Sequence, residues 1–243
     1  KKAQIIYAWD YVQWGGAQIY YLALIKEVKN EFDVLMVLPE KSDEQLIKFI
    51  NALNVKYEFV QTESDAKPAE TIKRKIERHI NKIKSERKLI GHLLKKDLSE
   101  TIVHIEYSPW QSLLSLIQLS RKTKVFITAH NSLPPVQKWR YLLWKGKLKI
   151  IEKFDNFYFF SSNEDSKRYF SQYFSPEFIE NKISVTYTSV NPSEIGDALS
   201  AEFDREGICE KFDIPKDKFL ILCVGQFIDR KGRWTFLEAA KKV

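Results

Sequence analysis

Cysteine is scarce. Cys209 and Cys223 are the only two in 243 residues, and no C-x-x-C spacing occurs, so neither a zinc site nor a disulfide framework is expected. Both read as reduced thiols of a cytosolic protein. Eight glycines and eight prolines gather into no tract, and aliphatic and aromatic residues are plentiful, which is the composition of a folded chain rather than a disordered one. No apolar run approaches the roughly 20 residues of a membrane span, and the first residues lack a signal-peptide layout. H-E-x-x-H, G-x-S-x-G, an EF-hand loop, G-x-G-x-x-G and G-x-x-x-x-G-K-[ST] are all missing. Zincin, hydrolase-elbow, calcium and standard nucleotide-loop readings therefore have no support, and no metal ligand set is expected.

What is present is a rhythm. The runs QIIYAW (4–9), DVLMVLP (33–39), YEFVQ (57–61), TIVHIEY (101–107), KVFITAH (124–130), NFYFFSS (156–162) and KISVTYTSV (182–190) are continuously apolar. Strands covered on both faces read this way. Helix-like segments separate them, so residues 1–190 are expected to form an α/β domain with a doubly wound, mostly parallel, Rossmann-like sheet. Ligands of such domains bind beyond the carboxyl ends of the strands. Residues 191–217 break the rhythm and read as a linker with a short helix. KFLILCVGQ (218–226) then restarts it as a buried strand, followed by FIDRKG and the helix WTFLEAAKKV, so 218–243 read as the first strand and helix of a second Rossmann-like domain.

The formal charge is +7 and favours acidic partners. Two segments concentrate it. In 71–96, Ile72, Ile76, Ile80, Ile83, Ile90 and Leu94 make one helical stripe among ten Lys and Arg. That pattern suits a solvated face or a helix drawn to anionic lipid. VQKWRYLLWKGKLKIIEKF (136–154) mixes Trp139 and Trp144 with Lys138, Arg140, Lys145, Lys147 and Lys149, as interfacial helices do, while Leu142, Leu143, Leu148 and Ile151 are expected to cover a sheet. Nucleic acid is not an expected partner, because these basic helices carry no aromatic stacking motif or reading module.

Candidate site residues fall where strands end. Gly15 and Gly16 stand between the first strand and the first helix. They supply either the positive φ or small bulk of a tight turn, or bare N–H groups for an anion or a sugar hydroxyl. His130 ends KVFITAH and Asn131 opens the loop after it. Glu106 and Tyr107 end the neighbouring strand, and Ser161, Ser162, Asn163 and Glu164 end another. In the second unit, Gly225, Gln226, Arg230, Lys231 and Gly232 place cations at the entrance to a helix, an arrangement suited to phosphate.

Taken in order, GGAQIYYLALI, VHIEYSPW, FITAHN, FSSNEDSKRYF, ISVTYTSVNPSEI and LILCVGQFIDRKGRWTFLEAAKKV resemble the landmarks of family 4 glycosyltransferases of the GT-B fold, nearly end to end. The resemblance implies transfer of a hexose from a nucleotide-sugar donor, UDP- or GDP-linked, to a glycan or glycolipid acceptor with retention of configuration. No metal or cofactor is needed. Residues 1–190 would form the acceptor-side domain, and the chain would stop inside the donor domain and be inactive alone. By resemblance His130 faces the transferred sugar, Gly15 and Gly16 approach the donor phosphates, and Gln226, Arg230 and Lys231 line the diphosphate site. Glu106, Asn131, Ser162 and Glu164 would line the acceptor-side cleft. The implied setting is cell-surface polysaccharide synthesis in the cytoplasm, peripheral to the inner face of the plasma membrane, with 136–154 and 71–96 touching anionic lipid.

Two departures from the family pattern stand out. Gln226 replaces the usual Arg after the glycine of VGR, and Thr188, Ser189, Val190 and Asn191 replace the usual NGVD. They keep open a degenerate glycosyltransferase that serves as a non-catalytic binding partner. A GT-B nucleotide-sugar epimerase or phosphorylase keeps the fold and changes the reaction.

Overall fold

The computed structural model describes residues 2–10, 12, 15–63, 71–106, 113–129, 137–187, 196, 204–217, 221–225 and 231–242. The chain divides into two compact units, Lys1–Ser189 and Val190–Val243.

The first unit holds seven strands: β1 (Gln4–Trp9), β2 (Asp33–Pro39), β3 (Lys56–Val60), β4 (Thr101–Glu106), β5 (Lys124–Ala129), β6 (Phe157–Ser161) and β7 (Ile183–Val185). All pair in parallel, in the order β3-β2-β1-β4-β5-β6-β7. The helices between them are α1 (Gly16–Val28), α2 (Glu44–Ala52), α3 (Ile72–Leu93), α4 (Leu113–Ser120), α5 (Lys138–Ile151), α6 (Glu164–Phe170) and α7 (Pro176–Lys182). The doubly wound, Rossmann-like sheet expected from the sequence is present, and it is parallel throughout.

Side chains alternate along each strand, so one sheet feeds two cores. Ile5, Tyr7 and Trp9 of β1 join Val34, Met36 and Leu38 of β2 under α1 and α2. Ile6 and Ala8 point the other way and join Val103, Val125 and Phe157 under α3 to α7. This is why the strands read as unbroken apolar runs: each face has its own helical cover. Edge strand β3 is covered least, and its Lys56, Tyr57, Glu58 and Phe59 stay at least partly exposed.

Strand order follows from the crossovers. The chain winds outward through β2 and β3, then α3 carries it back across the sheet to begin β4 beside β1. Winding thus reverses between β1 and β4, and a doubly wound sheet opens a crevice at such a switch point.

One expectation about burial changes, and two further helices divide into buried and exposed parts. Leu142 and Leu143 of α5 are exposed rather than laid on the sheet, because α5 turns Leu148 and Ile151 inward with Tyr141 and Trp144 partly buried beside them. The isoleucine stripe of α3 is divided: Leu89, Ile90 and Leu93 are buried, whereas Ile72, Ile76 and Ile80 are exposed. In α1, Ile19 is exposed while Tyr20, Tyr21, Leu22 and Ile25 are buried.

The second unit contains α8 (Arg205–Lys211) and α9 (Arg233–Ala240). Residues 221–225, expected within a buried strand, form none, and Ile221, Leu222 and Val224 are exposed. An extended segment becomes a strand only when a neighbour takes up its N–H and C=O groups, and none of the described residues pairs with it. Cys209 is buried and Cys223 exposed, and both are free. Among the described residues, no helix is long and apolar enough to cross a membrane.

The division of α3 has a direct test in chemical denaturation. Leu93→Ala should cost about 2–4 kcal/mol, since it leaves a cavity in the core. Ile72→Ala should stay within about 0.5 kcal/mol. Equal losses would place both ends of the helix in one core.

Candidate functional site

The carboxyl ends of the central strands form one rim, and the ladder shows how they line up. Trp9 of β1 is the register partner of Glu106 of β4, and Ala129 of β5 is that of Ser161 of β6. The Ser162 amide donates to the Ala129 carbonyl at 3.3 Å, and the Thr186 amide donates to the Ser161 carbonyl at 2.8 Å, which extends the rim to the end of β7.

Gly15 and Gly16 open α1, the helix that follows β1. Gly15 is extended, with φ −172° and ψ −178°, a conformation open to any residue. A Cβ on Gly15 would meet only the Gln18 side chain at 3.4 Å, and one on Gly16 would meet no described atom within 4 Å. Among the described residues, neither a positive φ nor crowding requires the pair.

Helix α1 begins at these glycines with no side-chain cap and no acidic residue in its first turn. By contrast, α2 is capped by Asp43, α3 by Thr71, α6 by Asn163 and α7 by Ser175. The first amides of a helix have no intrahelical acceptor and carry the positive end of its dipole. An anion is the complement of such an end. Tyr20 on the same helix hydrogen-bonds Thr186 at 2.8 Å, tying the early turns of α1 to the segment after β7.

The other candidates are placed as follows. Ser162 is half-buried on the rim, and Asn163 beside it spends its side chain on α6, accepting from the Ser166 amide at 2.7 Å. Glu164 is exposed in the first turn of α6, where its charge also complements the helix dipole. In the second unit, Lys231 is exposed just before α9, and a Cβ on Gly225 would lie 3.8 Å from the Lys231 stem, so these two residues meet. Gly232 has φ +70°, the left-handed conformation that glycine adopts without strain, and it starts α9. His130, Asn131, Gln226 and Arg230 lie outside the described residues, as does the 188–191 segment.

The structure adds a layer beneath the rim that sequence reading missed. His104 in β4 is buried, with Nε2 2.7 Å from the Thr128 hydroxyl of β5. Its ring lies 5.3 Å from Tyr7 and 5.0 Å from Tyr21, centre to centre. Burial, and secondarily Tyr20, push the Tyr7 phenol up to about 12, so it stays neutral. A histidine inside an apolar strand carries no sequence signal beyond the strand itself.

Asp10 was also missed, although its place after β1 and before the glycines was a usable signal. It is buried, and burial raises its carboxyl above the usual range against the pull of Lys82 and its own backbone hydrogen bond. Among the described residues, no group of three His, Cys, Asp or Glu is arranged to hold a metal ion. Cavities of about 370 Å³ beside Gln4, Asp33 and Lys96, and about 250 Å³ beside Lys29 and Asn54, open at the opposite, amino edge of the sheet. They take no part in the rim.

No family model matches this chain, and no curated protein matches it. Solved structures do. The chain is similar to HepE (Alr3699) of Anabaena, solved in complex with UDP-glucose, at 12% identity and TM-score 0.50, over 81% of this chain and 48% of that one. It is also similar to the N-terminal domain of trehalose-6-phosphate phosphatase from Candida albicans, at 10% identity and TM-score 0.53, over 88% and 54%. A weaker likeness, at TM-score 0.47 and 16% identity over 77% and 46%, is to the lipopolysaccharide outer core galactosyltransferase WaaB. The chain spans about half the length of these structures. What is shared at such identities is the Rossmann-like parallel fold.

Asp10 gives the rim a pH signature. Its raised folded-state value means that the native protein holds this proton longer than the unfolded chain does. Stability contributed by the protonated form is therefore present near the unfolded value, about 4, and is lost as pH rises through the folded value. Asp10→Asn should remove that slope and raise the melting temperature at pH 7. An unchanged pH profile would show that the carboxyl is solvated.

Proposed function

We propose that this chain is the acceptor-side part, with the opening of the donor-side part, of a retaining glycosyltransferase of family 4. It would move a hexose from a UDP- or GDP-linked donor to a glycan or glycolipid. The observation that carries this reading is the uncapped, glycine-opened start of α1, where nothing described in the chain itself accounts for the glycines. The proposed setting is cell-surface polysaccharide synthesis at the cytoplasmic face of the membrane.

In this reading the reaction breaks the bond between the sugar and a nucleotide diphosphate, so negative charge develops on the leaving phosphate. Positioned donors stabilise that charge most when they are fixed before it appears. Within the first unit the bare amides of α1 would supply such donors; within the second, Lys231 and Arg230 would supply the cations that Gln226 does not. His130, the next residue in sequence after β5, would orient donor and acceptor. Glu106, Asn131, Ser162 and Glu164 hold acceptor hydroxyls.

The test uses sugar transfer by the full-length natural protein, measured with UDP-glucose, UDP-galactose and GDP-mannose. Gly16→Ala should leave the melting temperature unchanged or slightly raised, since a methyl meets open space at a helical position. It should nevertheless lower kcat/KM for the donor by about tenfold or more, because the backbone approach is blocked. His130→Ala should lower kcat by roughly a hundredfold with little change in donor KM, the pattern of lost orientation. Donor binding without turnover in the unaltered protein would favour the non-catalytic binding partner instead.

A further inference from the structure

The buried pair of His104 and Thr128 has no part in the proposed chemistry, yet it lies directly under the rim. In the row that crosses the sheet, Tyr7 of β1 and Phe126 of β5 are the register partners of His104. Thr128 stands two residues further along β5, on the same face and nearer the carboxyl edge. The imidazole therefore leans toward the rim to reach the Thr128 hydroxyl, 2.7 Å from Nε2.

Several elements meet at this ring. Tyr21 of α1 stands edge-on to it at 5.0 Å and 71°, Tyr7 lies 5.3 Å away, and Phe160 of β6 lies 5.7 Å away, centre to centre. Tyr20, next to Tyr21, hydrogen-bonds Thr186 after β7 at 2.8 Å. Beyond Thr128 the strand reaches the rim at once. Ala129 closes β5, its carbonyl accepts from the Ser162 amide at 3.3 Å, and His130 is next in sequence.

Stability is a poor reason for such a pair. Both residues are buried, at 6% and 3% exposure, and apolar side chains of the same shape can replace a buried hydrogen-bonded pair with little loss or with a gain. What they cannot supply is direction. A hydrogen bond holds its partner within a narrow range of distance and angle, whereas a repacked apolar core loses its unique arrangement before it loses stability.

We propose that His104 is a positioning residue, which acts through Thr128 to fix the carboxyl end of β5, with Ala129 and its contact to Ser162, against the early turns of α1. The consequence for catalysis rests on the transferase reading, in which His130 then meets the sugar from a fixed direction. The hold on the strand end itself does not depend on that reading.

The experiment compares turnover, melting temperature and hydrogen exchange in the full-length natural protein and three variants. The double variant His104→Leu, Thr128→Val removes both polar groups and keeps the bulk. Its melting temperature should stay level or rise, while kcat falls roughly tenfold with donor KM unchanged, and exchange in segments 127–131 and 161–163 should quicken. Thr128→Ser keeps the hydroxyl and loses a buried methyl, so it should melt lower yet keep its kcat. Thr128→Val alone should lose turnover as the double variant does, so the test does not hang on one replacement. Turnover and stability moving independently is a pattern that a merely structural pair would not give. The proposal is overturned if kcat follows the melting temperature across the variants, if either variant carrying Val keeps full kcat, or if exchange in 127–131 is the same in the double variant. If the unaltered protein transfers no sugar, the transferase reading falls and the exchange comparison alone decides this one.

Discussion

The parallel pairing of β1 with β4, from Gln4 beside Thr101 to Trp9 beside Glu106, joins two half-sheets that wind in opposite directions. Without it, β1 to β3 under α1 and α2 would have no continuous backing, and β4 to β7 would present an open edge. The pairing does more than close the sheet. It sets the ends of β1 and β4 side by side at the one place where successive helices leave for opposite faces. The glycine-opened start of α1 and the strand ends from Glu106 to Ser161 then lie along the same carboxyl edge.

Burial in this unit is nearly complete around the central strands and gives out at the carboxyl edge. Below the rim, His104, Thr128, Tyr7 and Tyr21 form a buried cluster with polar groups on the face of the sheet that α1 covers. A polar layer in a dry interior is stable only if its groups find partners, and the hydroxyl of Thr128 provides one for His104. Above the rim, the same helices that seal the core with Leu93 and Leu148 present Ile72, Ile76, Trp139 and Leu142 outward. One helix layer thus meets two environments along its length.

Much of this was legible in the sequence because strands covered on both faces leave an unmistakable apolar run. The starts of β1 and β2 fall where the pattern puts them, and β3 to β6 differ from it by one residue at most of their ends. The positions of Gly15, Glu106 and Ser162 at strand ends follow from the same pattern. The fate of α3 was not legible, since a spacing of four marks an apolar side without saying what covers it. Residues 221–225 make a related point: apolar sequence favours a strand, but pairing makes one. His104 and Asp10 were missed because burial of a polar residue depends on neighbours from distant parts of the chain, such as Thr128 and Lys82.

The central claim is that the uncapped amides at the start of α1 receive the phosphates of a nucleotide sugar. Hydrogen exchange of the full-length natural protein, measured with and without saturating UDP-sugar or GDP-sugar, addresses those amides directly. Exchange across residues 16–18 should slow when the donor binds, because phosphate oxygens then accept from N–H groups that have no acceptor within the helix. Unchanged exchange there, with slowing confined to the amino-edge segments around Asp33 and Lys56, would contradict the account.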